Sequence, residues 1–353
     1  MTYALKERIG DPSLFCGRDR EMELLTDWAE NIPREISKSR ALLGRRKCGK
    51  TAIMQRLFNI LWNRHGRVIP FYIEVLDSNK WLLDFSDEYF RTFISQYLSF
   101  QTRTVLLKGN APWKKNELED MAKSIRNDSV LRAMETFFEY YDAEKVNNAM
   151  SWAFNAPALL TGFEDIFVLV MIDEIQFMTK YIYWDREQKV KAYNLPGAYH
   201  GLVESKTAPM LVSGSYVGWM TQMMRNMFKG GRLKRTPVSP KLTSDRGLEA
   251  TYRYAEYYKQ KVTDESAFVI NLLTQADPFY IATLFRSDWE ERDFSTVDGA
   301  VRTLAYEIKN REGEMFDTWS DYIDSTIREV NDTHAKKILL FLSGERFREC
   351  TRD

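Results

Sequence analysis

Residues 44–51 run Gly44-Arg45-Arg46-Lys47-Cys48-Gly49-Lys50-Thr51: a glycine, four variable positions, then glycine, lysine and threonine. That spacing suits polyphosphate. A glycine-bearing turn can aim several backbone N–H groups at one anion, because glycine takes backbone angles that other residues avoid. A helix starting after the turn adds partial positive charge at its N-terminus. Lys50 would reach the β- and γ-phosphates, and the Thr51 hydroxyl would ligate Mg²⁺. The nine residues from Gly44 to Ala52 are therefore the candidate nucleotide contacts, with Arg45 and Arg46 as basic groups that such a loop usually leaves in solvent. The pattern arises by chance in roughly one in a hundred chains of this length. Here RALLG precedes it as a strand-like run, and TAIMQRLFNILW follows with apolar residues at helical spacing, which is the context the chemistry requires.

A second carboxylate site is needed for hydrolysis, and FVLVMIDE supplies one. Asp173 and Glu174 end a six-residue apolar run. Asp173 would hold Mg²⁺, and Glu174 would orient and activate the attacking water as general base. Every buried strand ends in polar residues somewhere, so the pair gains its meaning from the phosphate loop upstream. A carboxylate directly after the Mg²⁺ aspartate marks the additional-strand division of P-loop proteins. There, one strand lies between the loop strand and the acidic strand, and APMLVSGS is the candidate. It ends in Ser213 and Ser215, polar groups placed for the γ-phosphate or the water. Ser215 is favoured over Ser213, and an ordinary Ser-Gly-Ser turn is the competing reading.

Four apolar runs must position these groups: residues 40–44, 68–75, 165–174 and 208–215. They lack alternation, as parallel strands covered on both faces do. Helix-like stretches at 49–64, 85–100, 115–150 and 196–206 lie between them. Strands alternating with helices predict a three-layer α/β/α core with a mainly parallel sheet. The stretch 85–160 is too long for a connection and reads as a helical insertion. Beyond residue 240 the strand signal fades. The expected division is a core at 1–240, a helical lid at 241–330, and the start of a winged-helix unit at 331–353.

Composition removes other classes. Lys plus Arg and Asp plus Glu are 50 each, so net charge offers no argument for nucleic acid or an acidic membrane. Cys16, Cys48 and Cys350 are too few and too scattered for a disulfide framework or a zinc site. His65, His200 and His334 have no ligand-like spacing. The start, MTYALKERIGD, lacks the apolar core of a signal peptide. The longest apolar run, residues 167–172, is far short of a membrane span. A cytoplasmic protein without membrane partners is expected.

The segments FCGRDREMELLTDW, LLGRRKCGKTAIM, LVMIDEIQFM, LVSGSYVGWM and QADPFYIATLF together resemble the archaeal-type ATPases. These belong to the STAND branch of the AAA+-related P-loop NTPases, in the ASCE division. The resemblance spans residues 14–285. It implies that Phe15, Gly17, Arg18 and Glu21 form a segment packed near the adenine. It makes residues 44–51 the Walker A loop, Asp173 and Glu174 the Walker B pair, and Ser215 the first sensor. A basic residue after the sensor strand would neutralise transition-state charge in cis or across a subunit contact, with Arg232 first and Arg235 second. A solvated loop is the plain alternative. Pro278 in Ala276-Asp277-Pro278 matches the lid turn that approaches the base, although the family's glycine is Ala276 here. Cys48 is another departure, close in size to the usual aliphatic residue.

The expectation is an ATPase that works as a Mg²⁺-dependent conformational switch, with ATP held between core and lid. Self-association, a protein partner and an attached C-terminal effector are compatible with it. DNA is open as a partner but not indicated by net charge. A DNA-processing motor or loader, and a nucleotide-binding scaffold without turnover, are the alternatives. No guanine-reading N-K-x-D motif is present.

Overall fold

The computed structural model describes residues 2–104, 112–163 and 165–330, with residues 337, 340, 341, 343 and 344. The chain divides into two compact units, Met1–Leu242 and Thr243–Asp353.

In the first unit the order begins α1 (Asp19–Glu30), β1 (Arg40–Leu43), α2 (Lys50–Arg64), β2 (Val68–Glu74), β3 (Lys80–Trp81) and α3 (Leu82–Thr102). It continues α4 (Lys115–Ser124), α5 (Asp128–Asp142), α6 (Val146–Thr161), β4 (Phe167–Asp173), α7 (Phe177–Tyr181) and β5 (Ile182–Tyr183). It closes with α8 (His200–Val203), β6 (Met210–Gly214), α9 (Val217–Asn226) and β7 (Lys234–Pro237).

The four apolar runs become β1, β2, β4 and β6. Every residue of β4 and β6 is buried, as a strand covered on both faces requires. The sheet order is β2-β4-β6-β1-β7, and each neighbouring pair is parallel. All five strands therefore end on the same edge, where the polar residues that close the apolar runs collect. The sequence reading did not include β7. Its residues, Lys-Arg-Thr-Pro, bury only Thr236, and pairing with β1 alone makes it a strand.

The insertion expected at 85–160 is a packed helical layer, α3 to α6. Its core is aromatic: Phe90 stacks on Phe137 at 4.2 Å, and Phe154 on Tyr199 at 4.5 Å. Such pairs add directional preference to plain burial. The helix expected at 196–206 is instead a 3₁₀ turn, Leu195–Tyr199, followed by the four-residue α8. Pro196 and Gly197 explain the short, irregular start.

An N-terminal arm runs along α2. Asn63, Asn59 and Gln55, four residues apart on one helix face, bond the backbone of Thr2, Leu5 and Arg8. Arg56 on the same helix makes a two-pronged ion pair with the buried Glu7.

The second unit is helical: α10 (Ser244–Tyr257), α11 (Asp264–Leu273), α12 (Pro278–Arg286), α13 (Val297–Lys309) and α14 (Glu314–Val330). Three of these helices start on a side-chain cap, Thr263 for α11, Asp277 for α12 and Thr296 for α13. The winged-helix start expected at 331–353 lies outside the described residues, apart from five isolated positions.

Candidate functional site

The loop leaving β1 is built by close approach and by one reversed turn. A Cβ on Gly44 would stand 2.7 Å from the Cys48 sulfur and 2.8 Å from the Val238 carbonyl, so only glycine fits. Gly49 has φ +89°, a region glycine enters without strain, and it forms the N-cap of α2. Cys48 is fully buried and packs beneath the loop. Arg46 and Lys47 are exposed and Arg45 half-buried. Lys50 Nζ donates to the carbonyls of Gly44 and Arg45, both at 2.9 Å, so its ammonium lies inside the loop. Thr51 and Ala52 occupy the first turn of α2.

Arg18 supports the loop from behind. It is 5% exposed and donates to the carbonyls of Cys48 at 2.9 Å and Ser239 at 2.8 Å, with Glu21 at 3.1 Å. Phe15 lies under the Arg56 guanidinium, 4.4 Å from ring centre to carbon. Phe15 and Arg18 of the expected adenine segment thus brace the loop and its helix.

Asp173 and Glu174 stand at the end of β4, and β6 separates them from the loop strand. Asp173 is fully buried. It accepts from the Tyr72 hydroxyl at 3.1 Å, from the Ser213 hydroxyl, and from the Glu174 N–H at 3.1 Å. Glu174 has φ +55°, a strained angle for a glutamate. Backbone bonds fix it from both sides: Val75 N–H to the Asp173 carbonyl, and Ile175 N–H to the Ser213 carbonyl, each 3.0 Å. Its carboxylate accepts from the Ser215 hydroxyl at 2.6 Å, the Ser215 N–H at 3.2 Å and the Gln176 amide. Ser213 and Ser215 therefore each serve a different carboxylate.

A glycine-cornered loop with a lysine ammonium inside it sits at the end of β1, an Asp-Glu pair ends β4, and the serine-tipped β6 lies between them. The fold is that of a P-loop NTPase. Sequence reasoning missed several groups around this P-loop site. Tyr72 and Glu74 come from β2, in register with Met171 and Asp173 of β4. Burial pushes the Tyr72 phenol well above its ordinary value, and the Asp173 charge adds to the effect. Burial also raises the Glu74 carboxyl, against the Arg8 guanidinium that bonds it at 2.7 Å.

Arg232 is not brought to the P-loop of its own chain. It precedes β7, whose first residue pairs with the first residue of β1, at the sheet edge opposite the loop. Its guanidinium is held by Glu204 at 2.8 Å and the Lys229 carbonyl at 2.6 Å. Arg235 is exposed on β7. Pro278 opens α12 in the second unit, after Ala276 at φ +56°, so the alanine adopts the left-handed backbone that a glycine would take there.

No protein-family model matches the chain, and no curated protein matches it. Among solved structures it is similar to a Walker-type ATPase of Pyrococcus abyssi, at 15% identity and TM-score 0.48, over 94% of this chain and 78% of that one. It is similar to the Aeropyrum pernix ORC1 protein in complex with DNA, at 12% identity and TM-score 0.43, over 93% and 72%. A third is the Thermotoga maritima RuvB Holliday junction branch migration motor, at 12% identity and TM-score 0.43, over 94% and 81%. Among the described residues, no helix is long and apolar enough to cross a membrane.

Proposed function

We propose that this protein binds ATP and hydrolyses it to ADP and phosphate, and that the bound nucleotide sets a conformational switch. One observation carries the reading. The strand order puts the glycine cradle with Lys50 and the clamped Glu174 on the same sheet edge, one strand apart. Gly44 lets the loop close onto Cys48 and Val238, where any other residue would clash, and Lys50 supplies a cation inside the loop. Glu174 is oriented by Ser215 and Gln176, as a base that must align one water would be. Thr51 and Asp173 would hold Mg²⁺, which supplies charge neutralisation at the phosphates. One carboxylate with one hydroxyl suits that ion, since Mg²⁺ keeps waters and substrate phosphates as its other ligands.

Arg232 stands apart from its own cradle, so a role at a phosphate would require a second copy of the chain. Phosphate release from ATP by the wild-type protein, with loss in Lys50→Ala and Glu174→Gln, tests the reading. Absence of turnover in the wild-type protein under saturating ATP and Mg²⁺ would overturn it in favour of a scaffold. Turnover stimulated by duplex DNA in a salt-sensitive way would favour the motor instead.

A further inference from the structure

A groove of about 680 Å³ lies at the start of β1 and β7, the sheet edge opposite the P-loop. Four cations line it: Arg20, Lys38, Arg40 and Lys234. Arg40 is the informative one. Its guanidinium lies 5.3 Å from the Trp28 ring centre, and its hydrogen bond to the Thr236 hydroxyl is long, 3.3 Å. Its Nε is buried without a partner. Burial pushes the guanidinium below its ordinary value, and no carboxylate offsets that. Arg40 is half-buried, and a partly desolvated guanidinium with no carboxylate on it is suited to an anion that arrives from outside the chain. Trp28 is a fixed platform: it is buried, and its indole N–H donates to the Lys38 carbonyl at 2.9 Å.

The groove is also apolar. Ile36 is 67% exposed and Leu24 40%, beside Trp28. Glu23 and Asp27 line the same space and would repel a continuous phosphate backbone. Isolated carboxylates flanked by aliphatic side chains avoid both acids and use both kinds of surface. Four cations against two acids leave the groove net positive. We propose that this groove is a docking site for an acidic, leucine-containing peptide segment of a partner protein, with one carboxylate on Arg40 and an aliphatic side chain on Leu24 and Ile36.

Fluorescence anisotropy with a labelled heptapeptide of two leucines, three acidic residues and terminal glycines tests this on the full chain. The controls are the same peptide with lysines for the acids, and a 12-base-pair duplex DNA. The acidic peptide is expected to bind, more weakly at high salt. Arg40→Gln and Lys234→Glu should each raise its Kd about tenfold. Lys234 is exposed on an edge strand, so its variant separates lost binding from lost folding, and unchanged melting temperatures confirm this. Absence of binding, equal binding of the lysine peptide, tighter binding of the DNA, or unchanged affinity in a folded Lys234→Glu variant would each overturn the proposal.

Discussion

Glu174 combines a left-handed backbone with a carboxylate held by two neighbouring side chains. A strained angle persists only where its surroundings over-determine it, and here both adjacent strands do so. Glu174→Gln keeps the shape and removes the proposed base. It should lower kcat by about 10²–10⁴ while ATP affinity stays within a few fold, read by phosphate release and by fluorescent-nucleotide titration. Ser215→Ala should act through Glu174, lowering kcat by about tenfold without raising KM, because it loosens the base and not the phosphate grip. Arg18→Met would leave the Cys48 and Ser239 carbonyls without their buried donor, at a cost of about 2–3 kcal/mol in urea unfolding. The two acidic residues were legible in sequence because they end an apolar run. Tyr72, Glu74 and Arg8 were not. They join the site through the register of β2 against β4 and through an arm lying on α2, and no local pattern encodes either.

At the scale of elements, the strands that carry their own apolar runs were readable, and β7 was not. Its residues favour neither burial nor alternation, and only the neighbouring β1 gives it a ladder to join. The helices of the second unit are set by contact as much as by pattern. A Cβ on Gly247 in α10 would press on Asn271 and lie 2.5 Å from the Ala276 Cβ, so α10 packs there backbone to side chain. Gly247→Ala should destabilise that unit by about 1–3 kcal/mol, measured by denaturant midpoint. Asp293 holds the turn before α13 through Ser295 and Thr296, and the Ser295 hydroxyl is the first cause keeping its carboxyl below the ordinary range. Since the folded value is depressed, its stabilisation is complete above the unfolded value near about 3.9 and fades as pH falls through the folded one. Asp293→Asn should therefore cost stability at pH 7 and progressively less below about pH 4, seen in melting temperatures across that range.

The molecule as a whole holds two compact units, and the P-loop residues all belong to the first. Ligand that binds only the folded form stabilises it by about 2.7 kcal/mol at a hundredfold excess over Kd. Calorimetry with ATP and Mg²⁺ should raise the transition of the first unit, and Lys50→Ala should abolish that shift. The strand order has a further effect, on how the chain is born. β1 emerges early, yet both of its sheet neighbours, β6 and β7, lie more than 160 residues downstream. At synthesis rates of about 5–20 residues per second, the loop strand waits on the order of 10–40 s with two open edges. For that interval Ala41, Leu42 and Leu43 form a nascent apolar surface available to chaperones, and to other chains in the same condition.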